Sequence, residues 1–232
     1  MPQMMTALIV GASRGLGFAI AEELLKRNWN VIGTVREGKR TELHDLSELW
    51  KGKLRIEYLD MTVPSQIERL KLALAGESLD LLFVNAGVAN EKGMKETVGE
   101  ISTEEFVRVM VTNTLSPMRV LEQLTEKVRP SGVVGVMSSG QGSIADNEHG
   151  GNDVYRASKA ALNMVMRSFA VRRGNDRALL LLAPGWIKTS MGGPNAAFSV
   201  EEVIGDIVNT IIAQQGKTGL QYLDRFGKTV RW

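Results

Sequence analysis

Short apolar runs rich in Val, Ile and Leu alternate with amphipathic helical stretches along almost the whole chain. The runs begin near Met4, Asn30, Leu54, Leu79, Val133 and Arg177, and a weaker one, GLQYL, begins at Gly219. Between them lie GFAIAEELLKR, PSQIERLKLAL, TEEFVRVMVTNTLSPMRVLEQLTEKV, NDVYRASKAALNMVMRSFAVRR and SVEEVIGDIVNTIIAQQ, with a further helix near RTELHDLSELW. Strands with no alternation of their own must be covered on both faces, and right-handed crossovers return the chain each time to the same edge. The pattern predicts a doubly wound α/β fold, a mostly parallel seven-stranded sheet with helices on both faces. No linker, repeat or low-complexity segment divides residues 1–232, which read as a single domain.

Composition narrows the chemistry. The absence of cysteine excludes disulfides, thiolate metal sites and a cysteine nucleophile. No metal site is expected. A net charge of +2 from 28 basic and 26 acidic residues, mixed along the chain, predicts neither a nucleic-acid nor a membrane partner. The start, MPQMMTALIV, has no basic leader, and ALLLLA from Ala178 is far shorter than a span, so a cytoplasmic location is expected.

In a sheet of this kind ligands bind beyond the carboxyl ends of the strands. The first strand runs directly into GASRGLG, where Gly11, Gly15 and Gly17 allow a diphosphate to approach the backbone and face a helix N-terminus. The same stretch matches a hydrolase nucleophile elbow, Gly11-Ala12-Ser13-Arg14-Gly15. That reading fails on context, because only ten residues precede it and the only histidines, His44 and His149, lie away from late strand ends.

Further motifs follow in order. VNAG spans Val84 to Gly87 after the fourth strand, Asn113 lies within the long helix, serines follow the fifth strand, YRASK opens the next helix and PGWIKT follows the sixth strand. Together they resemble the short-chain dehydrogenase/reductase family over roughly residues 6–189, and the tail GLQYLDRFGKTVRW resembles its C-factor-like and carbonyl-reductase-type branch. The resemblance implies a Rossmann domain that binds NADP(H) and reduces ketones or aldehydes, or oxidises the matching alcohols.

Tyr155 and Lys159, four apart, share one helix face, and an ammonium near the phenol favours its ionised form. A tyrosine so placed can exchange a proton with a carbonyl or alcohol oxygen. The resemblance implies that Ser139 orients that oxygen, that Lys159 also bonds the nicotinamide ribose, and that Asn113 helps to hold a relay water. Ser138, Ser139 and Ser143 all precede Tyr155. The strand's period of two allows only one of Ser138 and Ser139 to face the cleft. The family's placement of a glycine three residues on, met by Gly142, favours Ser139, with Ser138 second and Ser143 a candidate for the substrate loop. Residues 145–153 read as an insertion.

For the cofactor, the resemblance assigns Gly11, Ser13, Arg14, Gly15, Leu16 and Gly17 to the diphosphate turn, Asp60 to adenine, and Asn85, Ala86 and Gly87 to the adenosine. Pro184, Gly185, Ile187 and Thr189 would take the carboxamide side. Val35 stands where NAD-specific relatives carry an acid, and Arg36 follows it, so NADP(H) is preferred over NAD(H), with Arg14 a second phosphate contact. Glu37 is an alternative ribose ligand. The loop from Val88 to Glu100, the insertion, and a short mobile segment at 190–198 form the substrate walls, with Trp186 either an apolar contact there or a core residue. Relatives pair through the helices that carry Asn113 and Tyr155, which implies a homodimer or homotetramer using residues such as Met164, Val165, Met166 and Phe169. A regulatory protein that senses its nucleotide without turnover is the competing class.

Overall fold

A computed structural model describes residues 4–93, 96–173 and 176–232. Its seven strands are β1 (Thr6–Val10), β2 (Asn30–Val35), β3 (Leu54–Tyr58), β4 (Leu79–Val84), β5 (Val128–Met137), β6 (Ala178–Ala183) and β7 (Gly219–Asp224). They form one sheet in the order β3-β2-β1-β4-β5-β6-β7, with every pair parallel. The chain leaves β1 in one direction for β2 and β3, then returns to its other side for β4. The switch point therefore lies between β1 and β4, where their carboxyl ends open a crevice.

The helices are α1 (Gly15–Lys26), α2 (Glu42–Leu49), α3 (Pro64–Ala73), α4 (Thr103–Met110), α5 (Ser116–Leu124), α6 (Asp153–Arg173) and α7 (Val200–Ile212). Alternate strand residues divide between two cores. Ala7 and Ile9 of β1 join Ile20, Leu24, Val203 and Ile207 on the face of α1 and α7. Leu8 and Val10 join Ile67, Leu121, Leu162 and Phe169 under α3, α5 and α6. A strand buried on both sides has no polar face to show, which is why its sequence reads as a continuous apolar run.

Two elements depart from the sequence reading. Strand β5 starts earlier than Val133, with a register irregularity opposite Leu79 and Leu81 where Pro130 and Gly132 interrupt regular pairing. The single long helix expected from Thr103 is instead α4 and α5 joined by a π-helical turn, Val111–Leu115. Pro117 has no N–H to offer the carbonyl four residues back, that of Asn113, and its ring crowds that position. The backbone widens, and Ser116 donates its N–H to Val111, five residues back.

Candidate active site

The glycine turn after β1 is built for close approach. Gly11 and Gly15 have φ of 85° and 59°, which disfavour any side chain. A Cβ on Gly11 would stand 2.6 Å from that of Ala86, and one on Gly17 would meet the Gly11 carbonyl and, at 2.6 Å, the Asn85 amide. Asn85 closes the arrangement by donating to the Gly11 carbonyl at 3.1 Å. Its side chain thus ties the end of β4 to the turn rather than standing free beside a ligand. Helix α1 begins with no side-chain cap from Arg14. Its first amides remain available to an anion, as a diphosphate requires.

Arg14 and Arg36 are both exposed, and neither has a carboxylate partner among the described residues. Glu37, the alternative ribose ligand, is paired with Arg69 at 2.9 Å. Asp60 is partly committed: its Oδ1 accepts from the Thr62 N–H and hydroxyl at 2.9 and 2.6 Å, which shapes the turn into α3.

At the far end of the crevice, the π-helical turn buries Asn113 completely. Its amide accepts from the Val88 N–H at 2.8 Å and donates to the Val88 carbonyl at 2.8 Å and to the Ser158 hydroxyl at 2.9 Å. The side chain is spent on holding the loop after β4 to α6. Any water it helps to hold must meet its backbone carbonyl, which Pro117 leaves without the usual helical donor, or a second lone pair on Oδ1.

Lys159 lies one turn beyond Tyr155 on α6. It is buried, donates to the Met137 carbonyl at 2.9 Å, and stands 5.7 Å from the centre of the Tyr155 ring. A Cβ on Gly87 would lie 3.2 Å from the Asn113 Oδ1 and 3.6 Å from the Lys159 Nζ, so the end of β4 meets both residues. Burial lowers the Lys159 ammonium to about 8. Burial also pushes the Tyr155 phenol up, and the Ser139 hydroxyl nearby pulls the other way. In this state desolvation of the phenol outweighs the pull of the Ser139 hydroxyl.

The two serines separate as the strand pleat requires. Ser138 is buried and donates to the Asn163 Oδ1 at 2.7 Å, on the side of α6 that faces the sheet. Ser139 leaves the strand, takes the Gln141 N–H at 3.1 Å, and lies beside the phenol. Ser143 follows in the loop after β5. It is buried, with its Oγ accepting from the Asp146 N–H at 3.1 Å.

The segment after β6 and its loop are more tightly tied than expected. Residues 190–198 are bracketed by a bridge between Ile187 and Phe198, and the Trp186 indole donates to the Gly192 carbonyl at 2.8 Å. Trp186 is 46% exposed and so is not a core residue. Thr189 accepts from the Gly192 N–H at 3.1 Å and packs 3.7 Å from a Cβ position on Gly15, which brings this segment against the glycine turn. Gly185, at φ 97°, makes room for the Arg225 guanidinium, which bonds the Pro184 carbonyl at 3.3 Å and stacks 4.1 Å over Phe198. In the Val88 to Glu100 loop, Met94 and Lys95 lie outside the described residues. Of the helix residues expected at a protomer interface, Met164 and Val165 face outward, whereas Met166 and Phe169 belong to the core. No helix among the described residues is long and apolar enough to cross a membrane.

Three comparisons bear on this geometry. The short chain dehydrogenase family model matches residues 5–198. A Burkholderia multivorans protein crystallised with bound NADP superimposes with a TM-score of 0.97 at 53% identity, covering 99% of this chain and 100% of that one. A carbonyl reductase from Pseudomonas aeruginosa PAO1 in complex with NADP gives a TM-score of 0.91 at 33% identity, covering 99% and 100%. The C-signal of Myxococcus xanthus is 32% identical over 66% of this chain and 93% of its own length.

Proposed function

The chain belongs to the short-chain dehydrogenase/reductase family, and from that premise we propose that it is an NADP(H)-dependent reductase of ketones or aldehydes. The observation that carries this reading is the placement of Tyr155 between the Ser139 hydroxyl and the Lys159 ammonium, at the end of the crevice that starts with the glycine turn. Gly11, Ser13, Gly15, Leu16 and Gly17 with the α1 amides hold the diphosphate, and Arg14 and Arg36 take the 2′-phosphate. Asp60 and the Asn85 to Gly87 segment border the adenosine, and Pro184, Gly185, Ile187 and Thr189 border the nicotinamide. When bound, NADPH supplies the hydride that reduces the carbonyl carbon.

The chain's own residues manage the oxygen. Ser139 Oγ donates to it and fixes its position. Tyr155 Oη delivers the proton, and its high affinity for that proton in the buried site keeps it loaded at neutral pH. Lys159 holds a positive charge near the phenol and so stabilises the phenolate left behind. Asn113 anchors the loop and α6 on which Tyr155 and Lys159 stand. The exposed Met164 and Val165 on α6 offer a surface through which two copies pair, and light scattering at the mass of a single chain would refute that pairing.

NADPH consumption against benzaldehyde, acetophenone and menadione, with Tyr155→Phe as control, tests the reading. Turnover well above the control is expected. Cofactor binding without turnover above it on any of the three would replace this reading with a regulatory one, which the similarity to C-signal supports.

A further inference from the structure

Strand β7 carries a second buried tyrosine, and its contacts lead to the active-site serine. Tyr222 lies in the α6-side core, and its hydroxyl donates to the Ser139 carbonyl at 2.5 Å, reaching past β6 to do so. That carbonyl sits where β5 abandons the sheet: Ser138 still donates to Leu182 in the β6 ladder, whereas the Ser139 carbonyl accepts from the Gly142 N–H of its own turn and from this phenol. The Ser139 Oγ caps the same short turn through Gln141, so backbone and hydroxyl of Ser139 move as one unit.

The tyrosine is itself fixed from two sides. Its hydroxyl faces the Ser138 and Asn163 side chains, and Asn163 also bonds the Gly142 carbonyl at 3.3 Å. Its ring packs 5.4 Å from that of Trp232, which is covered in turn by the Arg167 guanidinium at 4.9 Å. Trp232 accepts the Ala145 N–H at 3.1 Å and Arg231 pairs with Asp146, so the residues after β7 clasp the loop that leads from Ser139 to Tyr155.

We propose that Tyr222 is a positioning residue for Ser139, holding its carbonyl so that its hydroxyl meets the substrate oxygen beside Tyr155. The inference rests on the assignment of Ser139 to the reaction. A tyrosine needed only for packing could be replaced by phenylalanine without kinetic effect, because ring, burial and the Trp232 contact all survive.

The test is a double-mutant cycle of Tyr222→Phe and Ser139→Ala, read by NADPH fluorescence titration and by steady-state kinetics on the best substrate of the carbonyl panel. Tyr222→Phe is expected to lower kcat roughly five- to twentyfold, the size of one lost buried hydrogen bond, with the Kd and KM for NADPH within about twofold of wild type. In the Ser139→Ala background the same change is expected to do nothing further. An undiminished kcat in Tyr222→Phe, an equal loss in both backgrounds, or loss of NADPH binding overturns the positioning role. A Ser139→Ala variant as fast as wild type overturns instead the serine assignment beneath it.

Discussion

The Lys159 Nζ is tethered to the Met137 carbonyl at 2.9 Å while standing 5.7 Å from the centre of the Tyr155 ring. The strand holds the cation, which leaves the phenol free to meet a substrate. Tyr155→Phe keeps the ring and removes only the O–H. Its kcat for carbonyl reduction is expected to fall about 10²- to 10⁴-fold with NADPH affinity retained, as measured by turnover and fluorescence titration. More than a tenth of wild-type activity would take Tyr155 out of the proton step.

The same pair sets a pH dependence. Lys159 is held to about 8 by burial, so its charge is present below that pH and lost above it. Tyr155 is pushed upward by burial and still carries its proton there. Reduction takes one proton, from Tyr155, and needs the Lys159 charge to stabilise the phenolate left behind, so kcat should be level from about pH 6 to 7 and decline through about 8. A reductive rate that climbs between pH 8 and 10 would contradict this assignment.

Arg36 and Arg14 are exposed and without carboxylate partners among the described residues, so both are available to a phosphate. Arg36→Ala should weaken NADPH binding by about 10- to 100-fold, the range of a charge-assisted bond, and change NADH binding by about twofold or less. The ratio of the two dissociation constants is the measurement, and an unchanged ratio would end the case for Arg36.

Gly17 shows how little space the turn has. A methyl group there collides with the Gly11 carbonyl and the Asn85 amide, neither of which can retreat without breaking the tie between β1 and β4. Gly17→Ala is expected to lower stability by about 1–3 kcal/mol and to raise the Kd for NADPH at least tenfold. Thermal unfolding with and without NADPH separates the two effects, and a variant that the cofactor stabilises as much as wild type would argue against this turn as its site.

Asn113→Ala would leave the N–H and carbonyl of Val88 unpartnered inside the protein, at a cost of about 1–3 kcal/mol. Denaturant unfolding reads that loss directly. Stability equal to wild type would mean that the loop after β4 is held by something other than this amide.

The alternation of apolar runs with amphipathic stretches is enough to read the sheet, because burial on both faces leaves its mark on the inner strands β1, β2, β4 and β6. The glycine turn was legible for a similar reason: its demands are local. For Ser138 and Ser139 the pleat says that neighbours diverge and not which of them turns toward Asn163; the preference for Ser139 rests on the family's glycine spacing, met by Gly142. Tyr222 reads merely as part of a weak apolar run. Its link to Ser139 joins residues 83 positions apart across an intervening strand, and no periodicity records such a contact. The anchoring of residues 190–198 escaped for the same reason, because it depends on Trp186 finding a backbone carbonyl within a loop. Only the π-helical turn had an unread local sign, Pro117 four residues after Asn113.

That widened turn has a consequence for how the helix can vary. Each residue of an α-helix rotates its successor by about 100°. Removing one residue between Val111 and Leu115 would restore an unbroken hydrogen-bond ladder, yet it would swing α4 around its axis relative to α5 and carry Asn113 away from Val88 and Ser158. The supernumerary residue acts as a vernier between two helices. The α5 side is indexed to the sheet through Met118 and Leu121, and the α4 side to the loop after β4 through Arg108 and the Ala89 carbonyl. Length changes in this helix are therefore tolerable only at its outer ends, where no second scale has to stay aligned.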